Sequence, residues 1–167
     1  MPVDVSCDVN GARRYVRALR TEARKLLTIL GRKDSELSVL LTGDRRIKDL
    51  NRDFRHKNRP TDVLSFAQIE ALDGVVQANS VQPGELSPIG DVVISVETAA
   101  RQAGEIGQTV ERRLRALLVH GVLHLLGYDH ERSAADARKM FAYQAELEAM
   151  LETARRTARS KVRSAAR

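Results

Sequence analysis

Val3, Val5 and Cys7 alternate with polar residues at the start of the chain, the period of two that marks a strand with one buried face. The period then lengthens. Tyr15, Leu19, Leu26, Leu27 and Leu30 recur at near-helical spacing over residues 11–30, and Gly31 ends the run. Glu36–Thr42 is rich in Val and Leu and predicts a core strand. Gly43-Asp44 turns it into a helix with Asp44 as N-cap. That helix would show Ile47, Leu50 and Phe54 on its inner face and end before Pro60. Val63–Phe66 and Asp91–Ser95 read as two further core strands. Between them, residues 69–90 hold Asp-Gly, Asn-Ser, Pro-Gly and Ser-Pro pairs, which predict a long loop or irregular hairpin. A helix follows over 96–103, then a more apolar one over 110–126. Ser133-Ala-Ala-Asp136 has the form of a capping box opening a last helix, with Met140, Gln144, Leu147 and Leu151 at helical spacing. There is no internal repeat and no interdomain linker. The predicted class is α+β: a single domain, a small mixed β-sheet packed against several helices, with the 110–126 helix at the centre.

Composition narrows this picture in two respects. Aromatic residues make up 4% of the 167 positions, so the core must be built from Leu, Val, Ile and Ala. No apolar run is long enough to cross a bilayer, and Met1-Pro-Val-Asp-Val lacks the basic-then-apolar layout of a secretory signal. The one cysteine, Cys7, excludes an internal disulfide and fits a reducing compartment. The expectation is a cytoplasmic protein with no membrane contact.

The charge is unevenly placed. The excess is 28 − 22 = +6, and residues 153–167 hold six basic residues and no acidic ones. Residues 1–152 therefore carry 22 charges of each sign. The division this predicts is one domain over 1–152 and a basic, flexible tail over 153–167. The tail is either a solvated extension or an arm that touches nucleic acid. A second basic cluster lies within the neutral part, where Arg45–Asp62 has seven Lys or Arg against three Asp. Such a run is commonly a solvated helix face, but it is also what a phosphodiester substrate would require nearby.

The densest chemistry is His120-Gly-Val-Leu-His124-Leu-Leu-Gly-Tyr-Asp-His130, which holds three of the four histidines in eleven residues. Histidines four apart share a helix face. Gly127 can cap that helix in the left-handed conformation and return the chain so that His130 joins the pair. Three nitrogen donors suit zinc and leave a fourth tetrahedral position open, the arrangement of a catalytic site. Structural zinc sites usually recruit cysteines, and only Cys7 is present. The spacing is similar to the zincin motif H-E-x-x-H, but position 121 is Gly where those proteases carry their general base. The glycine argues against peptide hydrolysis by that route. Zinc held by three neutral imidazoles keeps its full charge, polarises phosphoryl oxygens and acidifies water.

A phosphodiester centre also needs a cation for the charge that develops on the non-bridging oxygens. Arg55, in the loop ahead of a core strand, is the candidate, although the residues alone do not separate it from Arg52 or Arg59. Asp129 and Glu131 could orient a ligand or cap a turn. Tyr128 reads as a packing residue and His56 as a surface histidine.

Three stretches in order, LNRDFRHKNRPTDVLSF (Leu50–Phe66), GDVVIS (Gly90–Ser95) and HGVLHLLGYDH (His120–His130), resemble the YbeY family of bacterial endoribonucleases, or rRNA maturation factors. The likeness spans about Ser38 to Leu151. It implies an α+β domain with one zinc ion per chain on His120, His124 and His130, and places the family's invariant arginine on Arg55. It further implies single-strand-specific endoribonuclease activity in maturation of the small-subunit (16S) rRNA 3′ end and in ribosome quality control. The implied partners are single-stranded rRNA and the ribosomal small subunit, with a ribosomal protein or an assembly GTPase. Ala67 stands where the family usually has proline, and the segment after Leu151 lies outside its motifs. Two other classes remain open. One is a non-catalytic ribosome assembly factor stiffened by a structural zinc. The other is a hydrolase of a small phosphorylated or amide substrate.

Overall fold

The alternating segment at the start of the chain forms strand β1 (Val3–Cys7), which pairs in parallel with β2 (Ser35–Thr42). β2 pairs in parallel with β6 (Ser87–Ser95), and β6 pairs antiparallel with β3 (Val63–Ala67). The result is a mixed four-stranded sheet in the order β1-β2-β6-β3. Parallel neighbours require long crossovers; α1 (Arg13–Ile29) lies in the first and α2 (Asp44–Arg55) in the second. The chain continues from β6 into α3 (Val96–Glu105), α4 (Val110–Leu125) and α5 (Ala134–Ala165). This computed structural model describes residues 2–69, 71–72, 75–76 and 87–167. Within the expected loop over 69–90, β4 (Ala71–Leu72) and β5 (Val75–Val76) pair antiparallel, and residues 87–90 belong to β6. Residues 70, 73–74 and 77–86 of that loop lie outside the described residues.

One face of the sheet (Val3, Val5, Leu37, Val39, Leu41, Val92, Ile94) forms a single buried cluster with residues of α1, α4 and α5. A smaller cluster under α2 joins Ile47 to Leu64 and Val93. α4 is apolar nearly all round, with Leu114, Leu117, Leu118, Val119, Val122 and Leu123 buried, and a helix of that kind is an interior one. It sits between the sheet, α1, α3 and α5, the central place the sequence predicted.

Gly121 explains why α4 has no residue of the zincin type at that position. A Cβ there would stand 2.7 Å from Val92 Cγ1 and 3.2 Å from Ser65 Oγ. Val92 is fully buried on β6 and stiff about χ1, so it has nowhere to go. Ser65 Oγ also donates to the Gly121 carbonyl at 3.0 Å, tying β3 to this turn of α4. Gly121→Ala should therefore destabilise the protein by about 1 kcal/mol: overpacking costs roughly 1–3 kcal/mol, and the helix-propensity gain of about 1 kcal/mol offsets part of it. Denaturant unfolding of the two proteins checks the sign.

Three local expectations are corrected. Gly43, not Asp44, is the N-cap of α2; the Asp44 carboxylate instead accepts from Ser95 Oγ (2.5 Å) and Thr98 Oγ1 (2.6 Å) at the start of α3. Phe54 is 64% exposed rather than inward. It meets Phe66 edge-on with centroids 5.1 Å apart, and among the described residues β3 is the sheet edge, with no further strand for it to cover. The segment 153–167 is helical to Ala165, since its Ala, Arg and Lys are strong helix formers that prolong α5. The Ser133 cap is as predicted, its side chain accepting from the Asp136 N–H at 3.0 Å.

Candidate metal centre and basic cleft

His120 and His124 lie one turn apart near the end of α4. Gly127 (φ 86°) then terminates the helix, with the Gly127 N–H bonded to the His124 carbonyl at 3.0 Å and the Tyr128 N–H to that of Leu123 at 3.1 Å. This left-handed closure reverses the chain and brings His130 back. The ring centroids are 4.7 Å (His120–His124), 5.2 Å (His120–His130) and 5.1 Å (His124–His130) apart. One ring nitrogen from each lies within 4.8 Å of the others. The Nε2 atoms of His120 and His124 are 3.1 Å apart, near the roughly 3.3 Å expected of two nitrogens bound about 2.0–2.1 Å from one tetrahedral ion. His130 Nδ1 is buried without a hydrogen-bond partner among the described residues. The three histidines fit a metal ion.

Their protonation suits that use. Burial, reinforced by the neighbouring His120 and His130, pushes the His124 imidazole down to about 4. Burial also lowers His120, with its hydrogen bond to Gln144 acting in the opposite sense. Both rings are thus neutral near pH 7, and neutral imidazole is the form that ligates. The tautomer of His120 follows from a short relay. Gln144 Nε2 donates to Glu148 Oε1 at 2.9 Å, so its Oε1 faces the ring and accepts from His120 Nδ1 at 2.9 Å. His120 Nε2 is left with its lone pair toward the centre. Partners of this kind typically change metal affinity about 10–100-fold. Gln144→Leu should weaken metal binding by about that factor with little change in fold, as competition with a chelator would measure.

The centre opens into a cleft of about 710 Å³ whose other wall is the segment from the end of α2 to β3. Arg55, Lys57 and Arg59 line it with the three histidines, Asp129 and Glu131. Arg55 Nη2 stands 3.8 Å from Glu131 Oε2, which joins the end of α2 to the histidine turn. Arg52, by contrast, pairs with Asp49 (3.2 Å) and Asp53 (2.8 Å), and Arg46 pairs with Asp8 (2.6 Å).

A family model described as endoribonuclease YbeY matches residues 6–152. The chain belongs to that family. The endoribonuclease YbeY of Geobacter metallireducens is 49% identical over 137 residues, covering 80% of this chain and 85% of the relative. That of Aquifex aeolicus is 43% identical over 129 residues, covering 76% and 79%. The solution structure of TM1509 from Thermotoga maritima aligns with a TM-score of 0.63 and 25% identity over 95% of each chain. The resemblance seen in the sequence and the α+β architecture both stand. No helix among the described residues is long and apolar enough to cross a membrane.

Within this YbeY domain, His120, His124, His130 and Arg55 all reach one cleft. Of the seven cations from Arg45 to Arg59, three line it. Tyr128 packs on Tyr143 with centroids 5.4 Å apart, as the sequence predicted. Asp129 Oδ1 accepts from the Glu131 N–H at 2.8 Å, the turn-capping one of its two expected roles. Sequence reasoning missed Gln144, Phe141 and Asn51. Phe141 lies against His120 (6.3 Å, interplanar 24°) and His130 (5.5 Å). Asn51, 2% exposed, donates from Nδ2 to the Arg59 carbonyl at 2.8 Å and so shapes the loop that carries the cleft cations. A polar residue at a helix position due to be buried was the available signal for both Asn51 and Gln144.

Proposed function

We propose that this YbeY-family chain is a metal-dependent, single-strand-specific endoribonuclease acting in small-subunit (16S) rRNA 3′-end maturation and ribosome quality control. One zinc ion per chain would be held by His120, His124 and His130. The observation that carries this reading is the convergence of three imidazoles in an open cleft facing Arg55. A bound divalent ion supplies Lewis acidity toward a phosphoryl oxygen and acidifies a water there. Arg55 binds a non-bridging oxygen of the scissile phosphate, and its planar fork allows two contacts at once. Lys57 and Arg59 hold the flanking backbone, and Gln144 keeps the His120 ring oriented. The relatives named endoribonuclease support the same activity. The ribosomal small subunit, through one of its proteins or an assembly GTPase, is the partner this reading implies, and the cytoplasm its place.

No fourth Cys, Asp, Glu or His joins the three histidines among the described residues. That favours catalysis over an assembly factor with a structural zinc, in which a closed ligand set is the rule. The test is cleavage of single-stranded RNA by metal-loaded wild type, Arg55→Ala and Arg55→Lys. The expected result is a loss of about 10²–10³-fold in Arg55→Ala with metal content retained, and partial recovery in Arg55→Lys. Full activity in Arg55→Ala would remove Arg55 from the reaction. An inert, metal-loaded wild type would leave the assembly-factor reading in front.

A further inference from the structure

The net charge of this protein resides in residues 153–167, and α5 gives that charge a shape. Arg155, Arg159 and Arg163 recur every fourth residue, one turn or about 6 Å apart on a single face. They do not stand alone. A groove of about 510 Å³ runs between α1, α4 and α5, with Arg17 and Lys25 of α1 facing Arg155 and Arg159. A second depression of about 350 Å³ shares Lys25, Arg155 and Arg159 and extends the groove to Arg163.

The nearby carboxylates are largely committed elsewhere. Glu22 and Glu152 flank the buried Arg115 at 3.5 and 2.7 Å, and Glu152 also meets Arg156 at 3.2 Å. Glu111 is the other acid on the wall. None of the close ion pairs among the described residues involves Arg17, Lys25, Arg159 or Arg163, and Arg155 meets Glu152 only through longer-range attraction. This groove shares no lining residue with the metal cleft. From Gln144, which touches the metal centre, to Arg159 is fifteen residues along α5, or about 22 Å. The match to the family model stops at residue 152, so the arginine stripe lies outside it.

We propose that α1 and the C-terminal half of α5 form a second RNA-binding surface, which grips the phosphate backbone of a double-stranded segment adjoining the single strand in the cleft. The proposal rests on the endoribonuclease reading for the identity of the RNA. Its chemistry rests on the groove. Surfaces that hold single strands combine cations with aromatic platforms on which bases stack. The aromatic ring on this groove is Tyr15, 6% exposed, with its hydroxyl accepting from Arg14 at 2.7 Å. Cations without stacking rings suit the backbone of a duplex, which is recognised by shape and phosphate contact.

The test uses the full chain with two probes: an RNA hairpin carrying a single-stranded 3′ tail, and the tail alone. Arg155→Gln, Arg159→Gln and Arg163→Gln are combined, since Gln preserves helix propensity, and circular dichroism verifies the fold. The expected result is binding of the tailed hairpin at least about tenfold weaker at about 0.15 M salt, with the slope of log affinity on log salt reduced by about three. Cleavage of the tail alone should change less than about twofold, since the stripe touches none of the metal cleft. Arg17→Gln combined with Lys25→Gln should weaken hairpin binding in the same direction, which a tail acting by itself would not produce. Unchanged hairpin affinity in the triple variant overturns the proposal, as does an α1 pair without effect. Polyglutamate competing as well as unlabelled hairpin at equal charge overturns it in favour of an acidic protein. If wild type cuts neither probe, the nuclease reading fails, while a binding loss in the triple variant still supports the groove.

Discussion

Alanine at position 124 is expected to leave the protein without its metal and to lower cleavage of single-stranded RNA by about 10³-fold or more. His124 is the middle ligand of the proposed site, with ring centroids 4.7 Å from His120 and 5.1 Å from His130, and the two imidazoles left in an open cleft make a poor zinc site. Metal content and cleavage should fall together; metal lost with cleavage intact would assign the activity to a contaminant. The metal-free proteins should also differ in their response to acid. In wild type the folded His124 is held near 4, below its ordinary 6.5. The unfolded chain therefore binds a proton over that interval which the folded one refuses, and stability declines as pH falls from 6.5 toward 4. His124→Ala lacks that contribution, so its unfolding midpoint should depend less on pH across the same window.

Arg115→Ala should produce the largest loss of stability, about 3–5 kcal/mol, or roughly 6–20 °C in melting temperature for a domain of this size. Arg115 is 5% exposed in the N-terminal half of α4. Its Nη1 meets Glu152 of α5 at 2.7 Å, and its Nε lies 3.5 Å from Glu22 of α1. One guanidinium thus joins three helices. Its removal strands Glu22, itself 9% exposed, as a buried carboxylate without a counter-charge. The double variant Arg115→Met with Glu22→Leu should recover most of the loss, because replacing a buried ion pair with apolar side chains of similar volume is often neutral or stabilising. A double variant as unstable as Arg115→Ala would place the cost in lost packing instead.

The two substitutions act at opposite ends of α4. Near its C-terminus the helix presents histidines to an open cleft; nearer its N-terminus it is clamped to α1 and α5. Because α5 contributes both Gln144 beside His120 and Glu152 at the clamp, its length sets the distance between the candidate metal centre and the basic groove at its far end.

Much of this was legible in the chain itself because it is written in short range. Period-two and near-helical patterns located the sheet strands and the five helices, with the ends shifted by a few residues at most except at β6 and α5. The histidine cluster and the glycine that turns it lie within eleven residues, where helix geometry alone brings the first pair together and a left-handed residue returns the third. Periodicity also put Phe54 on an inner face, but a face has no value without a surface to cover, and among the described residues the sheet ends at β3.

What tertiary structure decided are relations between distant segments. The residues alone left Arg55 level with Arg52, and the resemblance favoured Arg55; only the fold shows Asp49 and Asp53 occupying Arg52 and Arg55 sharing a cleft with His120. Gln144 became the partner of His120, 24 residues away, rather than another core position. Gly121 acquired its reason from Val92 on β6, and the basic tail became half of a groove by meeting α1. Local sequence dictates which side chains share a face, since that follows from backbone period; which neighbour each face meets depends on packing among elements far apart in the chain, and no local pattern encodes it.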